Sequence, residues 1–310
     1  MVTRERVQPE GQALNAAEVV TRERGREAMV RVAAAQLEPR VGDKAANVYK
    51  ALEALRRAVN EHVDLIVLPE LGNSGYIFNS RAEAFSLSEP IPDGPTCRAY
   101  LDAIRGTGLH VVAGICEREG SRLYNSAAFL GPEGFIGKYR KLHLWSEEKL
   151  FFEPGNLGLP LFHLPFGRVG ILICYDAWFP EVVRILKLQG ADIICDPTCW
   201  DLMPGLVDES NNLMPPMHMG QAHTNNVFMI CADRCGVERG CTFAGSSCVV
   251  GPTGYLAGPA SFSDEDFLIA DLNLSEARYH HWTELSNPIE DRRVDVYGAD
   301  LGYRPPAGSG

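Results

Sequence analysis

Apolar residues fall along the chain in short runs of two kinds. Aliphatic and β-branched stretches without polar alternation at 30–35, 65–68, 109–115, 169–173, 192–195 and 227–232 predict buried strands, the kind found in parallel sheets covered on both faces. Between them lie helical periods. Residues 47–60 carry Val48, Ala51, Leu52, Leu55 and Val59 at helical spacing, 96–104 predicts a second helix, and a third opens at Pro180 and Glu181 and stops at Gly190. A fourth is expected near 218–225. Two hairpins interrupt this alternation, one pairing 125–130 with 135–139 around Gly131-Pro-Glu-Gly134, the other centred on Gly251-Pro-Thr-Gly254. Their sequences can be laid over each other, Asn125-Ser-Ala-Ala-Phe-Leu-Gly-Pro-Glu-Gly on Gly245-Ser-Ser-Cys-Val-Val-Gly-Pro-Thr-Gly. The chain therefore contains an internal repeat.

Each half reads strand, helix, strand, helix, strand, hairpin, which predicts an α/β protein of two similar sheets with helices on one face of each. Packed sheet to sheet, they form a four-layer α-β-β-α sandwich of two pseudo-symmetric halves. A TIM barrel would need eight parallel strands alternating with helices, and the hairpins break that pattern. Residues 1–28 are polar, charged and without an apolar signal core, so they are expected to be a flexible extension. The folded unit is expected to run from 29 to 300 as a single domain, with 301–310 a tail.

Composition narrows the function. A net charge of −11 without a basic cluster argues against a nucleic-acid or anionic-membrane surface, and no apolar run reaches membrane-span length. The nine cysteines have no framework spacing, which predicts reduced thiols in a cytoplasmic protein. Cys195/Cys199 and Cys231/Cys235 are spaced CxxxC rather than as a zinc pair, so no metal and no cofactor are expected.

The chemistry gathers at three places. Cys174 ends an apolar strand that turns straight into a helix, where backbone N–H groups favour a thiolate and can stabilise an oxyanion. A lone buried cysteine is more often core packing. Yet in the sandwich Glu70 also leaves the end of a buried strand, from the other half, and Lys141 enters from the crossing between halves. A carboxylate beside a thiol can take its proton on attack and pass it to a leaving amine. A lysine beside both can donate to a developing oxyanion, worth about 3 kcal/mol for one good donor.

The segments Leu68-Pro69-Glu70-Leu71 with Ser74-Gly75-Tyr76, Tyr139-Arg140-Lys141-Leu142-His143-Leu144 and Leu172-Ile173-Cys174-Tyr175-Asp176-Ala-Trp178-Phe179-Pro180-Glu181 resemble the nitrilase, or carbon–nitrogen hydrolase, superfamily. The resemblance runs from about Met29 to Tyr297. It implies the four-layer fold, with Glu70 as general base, Lys141 as stabiliser of the intermediates and Cys174 as nucleophile forming a thioester. It also implies a second glutamate beside base and substrate, matched by Glu148, with Glu147 the acid next to it. Nitrile-cleaving members typically carry Trp-Glu after the cysteine, whereas amide- and carbamoyl-cleaving branches more often carry Tyr-Asp or Trp-Asp. Tyr175-Asp176 therefore implies a small carboxamide as substrate, with an N-carbamoyl amine or a nitrile as alternatives. Tyr76, Trp145, Tyr175, Trp178 and Trp200 are candidate substrate-binding residues. Family members assemble through the helices flanking the cysteine strand, so a homodimer or higher homo-oligomer is expected.

Overall fold

The computed structural model describes residues 29–203, 207–298 and 300–301; the expected extension and all but the first residue of the tail lie outside them. Twelve strands make up two six-stranded sheets. In the first half, β1 (Met29–Gln36), β2 (Leu65–Val67) and β3 (His110–Glu119) run parallel, and β4 (Arg122–Gly131) and β5 (Gly134–Arg140) add the first hairpin. In the second, β7 (Arg168–Ile171), β8 (Ile193–Pro197) and β9 (Phe228–Ala232) run parallel, followed by the hairpin of β10 (Cys248–Gly251) and β11 (Gly254–Ala257). The repeated hairpins occupy equivalent edges of the two sheets, as the overlaid sequences predict.

Each sheet gains one antiparallel strand beside its first parallel strand. β6 (Leu161–His163) pairs with β7, and β12 (Asp266–Asn273) returns from the end of the chain to pair with β1 along its whole length. Neither strand was expected from the hydrophobic pattern. β6 is only three residues long and half-exposed. In β12 the apolar run is only four residues, Phe267 to Ala270, closed on either side by Asp266 and Asp271.

Strand alternation sets the layers. On the first sheet Val32, Ala34, Val67, Val112, Ala127 and Phe129 share one core with Val169, Ile171, Ile193 and Phe228 of the second. Their neighbours Ala33, Ala35, Ile66, Val111 and Ala113 face the opposite way, against Ala51, Leu55 and Ala58 of α1 (Lys44–Asn60) and Cys97, Tyr100 and Ile104 of α3 (Pro95–Ile104). The second sheet is covered by Val182, Val183 and Leu186 of α5 (Pro180–Gln189) and Ala222 of α6 (Met214–Asn225). The order helix, sheet, sheet, helix follows.

Three local differences from the sequence pattern have plain causes. Residues 81–87 form a helix, α2 (Arg81–Leu87), capped by Ser80, whose hydroxyl accepts from the Glu83 N–H at 3.1 Å. Four residues after the Lys141 segment, where the pattern predicts no element, the chain makes a short helical turn, α4 (Glu148–Phe151), whose last N–H bond runs from Phe152 to the Glu148 carbonyl. Helix α6 begins at Met214 rather than near His218, because Pro215 and Pro216 fall in its first turn, where proline costs no hydrogen bond.

Candidate active site

Glu70 stands three residues past β2, on a turn that lies against β3. Gly114 of β3 makes that approach possible: a Cβ there would collide with Pro69 O, Leu71 N and the Glu70 Cα. Lys141 follows β5 directly, its N–H donating to Asn125 O at 2.8 Å and its carbonyl accepting from Gly155 N at 2.8 Å. Gly155 is also obligatory, since a Cβ would strike the backbone of Arg140 and Lys141. Cys174 lies beyond β7 at the start of a 3-10 turn, Cys174–Trp178, that feeds α5.

These elements bring four side chains to one buried point. Lys141 Nζ donates to Glu70 Oε1 at 2.6 Å and to Glu148 Oε1 at 2.7 Å. Glu70 Oε1 accepts a further bond from Asn125 Nδ2 at 2.6 Å. Glu70 Oε2 is buried without any partner among the described residues. Glu148 is held by Tyr76 Oη at 2.5 Å and by the Trp145 N–H at 3.2 Å, while Glu147 is exposed. Of the two adjacent acids, Glu148 is the one in contact with Lys141. Cys174 reaches the same place: its Sγ lies 3.9 Å from the Cys199 carbonyl, and Cys199 Sγ in turn lies 3.4 Å from the Glu70 carbonyl.

The Cys174 backbone has φ +50°, a left-handed conformation that a side-chain-bearing residue keeps only when its surroundings impose it. Asp196 of β8 and Asp176 of the 3-10 turn supply the constraint. The Cys174 N–H donates to Asp196 Oδ1 at 2.6 Å, and Asp196 Oδ2 meets His218 Nε2 at 2.6 Å. Asp176 accepts from the Ile173 N–H, the Tyr139 hydroxyl and the His143 N–H, tying the turn to the Lys141 segment.

A narrow cleft opens above Cys174, walled by Trp145, Tyr175, Trp178 and Trp200 together with Asp201, Met203 and Met214. Four of the five candidate substrate-binding residues therefore line it. Tyr76 does not: its hydroxyl is spent on Glu148, and its ring borders a neighbouring cavity that shares Trp145 and Asp201.

The sequence matches the carbon–nitrogen hydrolase family over residues 31–279. The chain belongs to that family. A nitrilase from Pyrococcus abyssi is 40% identical over 272 residues, covering 87% of this chain and 99% of that protein. An N-carbamoylputrescine amidase from Solanum lycopersicum is 31% identical over 274 residues, covering 82% and 89%. The crystal structure of an amidase from Nesterenkonia sp. superposes with a TM-score of 0.72 at 25% identity, covering 88% of this chain and 96% of that one. The nitrilase-superfamily resemblance and the mixed α/β fold are thereby established.

The electrostatics of this carbon–nitrogen hydrolase depart from expectation at one point. A thiolate was expected at Cys174, but burial and the neighbouring Glu70 charge push the thiol well above its usual range, against the opposing pull of Lys141. The turn's N-terminus is too short to outweigh full desolvation, and the Cys174 N–H is taken by Asp196. Burial also pushes the Glu70 carboxyl up to about 8, although Lys141 opposes it. Lys141 moves the other way: burial disfavours its charge, but Glu148 and Glu70 raise it well above the ordinary lysine range. The resting cluster is thus a thiol, an ammonium and a carboxyl poised near neutrality.

Several site residues escaped the sequence reading. Asn125 was placed only in a hairpin, and Asp196, His218 and Asp201 carried no local motif. Asp196, His218 and Cys231 form the one group of potential metal ligands among the described residues. Both Asp196 oxygens are already engaged, Oδ1 by the Cys174 N–H and Oδ2 by His218 Nε2. No helix among the described residues is long and apolar enough to cross a membrane.

Proposed function

We propose that this carbon–nitrogen hydrolase cleaves a small carboxamide to its acid and ammonia through a thioester on Cys174. The observation that carries this reading is the divided Glu70 carboxyl, whose Oε1 is held by Lys141 and Asn125 while buried Oε2 has no partner among the described residues. A buried acceptor without a partner costs stability, and that oxygen is left open to take a proton. As Sγ bonds to the amide carbon, Glu70 takes the thiol proton. The oxygen that becomes negative is met by Lys141 Nζ and by the Tyr175 N–H at the start of the turn. Glu70 then gives the proton to the leaving nitrogen, the C–N bond breaks and ammonia departs. Water attacks the thioester, Glu70 accepts its proton, the C–S bond breaks and the proton returns to sulfur. Glu148 acts by fixing Lys141. The similarity to an amidase structure supports the same reading, and no metal or cofactor enters it.

The pH dependence follows from the raised carboxyl. Because Glu70 must be ionised to accept the thiol proton, and its folded value of about 8 lies above the ordinary carboxyl value, the competent form is lost as pH falls. We expect kcat/KM to rise between about pH 6 and pH 9 with an inflection near that value. A profile that is flat or falls over this range contradicts the assignment of Glu70 as base.

Asp201 favours a second reading. It places a carboxylate among the cleft aromatics, a setting that suits the distal ammonium of an N-carbamoyl amine, and one relative is an N-carbamoylputrescine amidase. Ammonia release from matched amides, nitriles and N-carbamoyl amines separates the readings. Nitriles are expected to be slower by about tenfold in kcat/KM, a barrier difference of about 1.4 kcal/mol. Nitriles hydrolysed as fast as amides sink the amidase reading, and much faster carbon dioxide release from N-carbamoyl amines promotes the second.

The outer face of α5 supports self-association. Val182, Val183 and Leu186 face the core, leaving Ile185 39% and Leu188 45% exposed on the other side. That face exceeds what sheet packing uses, and a second copy related by a two-fold axis would cover it. Light scattering at micromolar concentration is expected to show at least a dimer, which Ile185→Lys with Leu188→Lys weakens. A wild-type monomer rejects the interface.

A further inference from the structure

We propose that Asp196 and His218 are positioning residues that hold the Cys174 nucleophile in its left-handed backbone conformation and link it to the wall of the substrate cleft; this rests on the reading of Cys174 as nucleophile. The two residues come from different elements, β8 and α6, and both are fully buried. Four groups form one continuous relay. The Cys174 N–H donates to Asp196 Oδ1 at 2.6 Å, Asp196 Oδ2 lies 2.6 Å from His218 Nε2, and His218 Nδ1 lies 2.8 Å from the Met214 carbonyl.

The proton count is set by the acceptor at the far end. A carbonyl can only accept, so Nδ1 of His218 carries hydrogen and donates to Met214. The contact between Nε2 and Asp196 then needs a single proton, located on either partner, and the pair as a whole is neutral. A neutral pair with every bond directed can stay buried where an isolated carboxylate could not.

Two features make this more than a buried ion pair. Its near end is the backbone N–H of the reacting residue, at φ +50°, where an unforced cysteine would relax and carry its sulfur away. Its far end is the first residue of α6, and Met214 lines the cleft together with Trp200, whose ring packs on His218 with centroids 5.2 Å apart. The wall that meets substrate and the backbone that aims the thiol therefore share one support. Misplacing a reacting atom by about 1 Å costs on the order of a hundredfold in rate.

The test measures each variant per folded enzyme, with circular dichroism to establish the fold and alkylation of Cys174 by iodoacetamide as a readout that needs no substrate. Asp196→Ala is expected to lower kcat by about a hundredfold with KM within about threefold, and to slow alkylation of Cys174. Asp196→Asn is expected to recover most of that loss. Its amide oxygen can still accept from Cys174 while its NH₂ donates to neutral His218 Nε2. A role confined to stability would lower the melting temperature without moving kcat per folded enzyme, and would give asparagine no advantage in rate; either result overturns the proposal. Should Asp196→Ala fail to fold, His218→Gln reads the relay from its other half, with a fall in kcat of at least about tenfold at unchanged KM expected and an unchanged kcat overturning it. If wild-type enzyme hydrolyses no amide, the proposed reaction is wrong, while alkylation of Cys174 in wild type and Asp196→Ala still decides whether the relay aims the thiol. Equal alkylation rates overturn it.

Discussion

Cys174→Ala is expected to leave the enzyme folded and to cut amide hydrolysis by at least about 10⁴-fold, to the limit of detection. The size follows from the covalent route: without sulfur there is no thioester, and Glu70 and Lys141 have no attacking atom to serve. The fold should survive because the side chain removed is small. Alanine can also occupy a left-handed backbone when Asp196 holds its N–H, at a strain of about 1–3 kcal/mol that the wild type already carries. Circular dichroism and ammonia release measured on one preparation check both halves of the expectation. Retained turnover would remove Cys174 from the mechanism.

Changes at the charged pair are expected to be nearly as severe but to differ in kind. Glu70→Gln keeps the shape and an oxygen for Lys141 and Asn125 to bond, yet cannot take a proton, so kcat should fall by about 10³-fold or more with the protein still folded. Lys141→Ala removes the oxyanion donor, worth about 10²–10³-fold. It also leaves Glu70 and Glu148 as two buried carboxyls without their shared cation, a loss of about 3–5 kcal/mol in stability when one partner of a buried pair is removed. Glu70→Gln should therefore lose activity at near-normal melting temperature, whereas Lys141→Ala should lose both. Mild effects in both variants would mean that the catalytic groups have been misassigned.

Much of this site was legible because its chemistry sits in contiguous segments. Glu70, Lys141 and Cys174 each end or follow a strand that the apolar pattern marks, and the repeated hairpin revealed the two-sheet plan. What escaped depends on contacts far apart in sequence. Asn125 acquires its role by facing Glu70 across 55 positions, and Asp196 by standing 22 residues from the backbone it supports. β12 escaped for another reason: its apolar run, Phe267 to Ala270, is as long as the one at 65–68 and was legible, with Phe267 and Ile269 facing the helices and Ala270 and Leu272 facing the sheets. α2 was an omission of the same kind. Ser80-Arg-Ala-Glu83 is a capping sequence and was available to be read. The thiolate expectation failed for an energetic reason: a short turn's dipole contributes roughly 0.3–1 kcal/mol, less than the penalty of burying the charge.

The most direct test of the central claim is mass spectrometry of wild-type enzyme quenched in acid during turnover of a small amide. The expected result is a mass increase equal to the substrate's acyl group, mapped by peptide fragmentation to Cys174 and absent from the other eight cysteines. Rapid turnover with the Cys174 peptide unmodified at every quench time, or the acyl group found on another residue, would contradict the thioester mechanism.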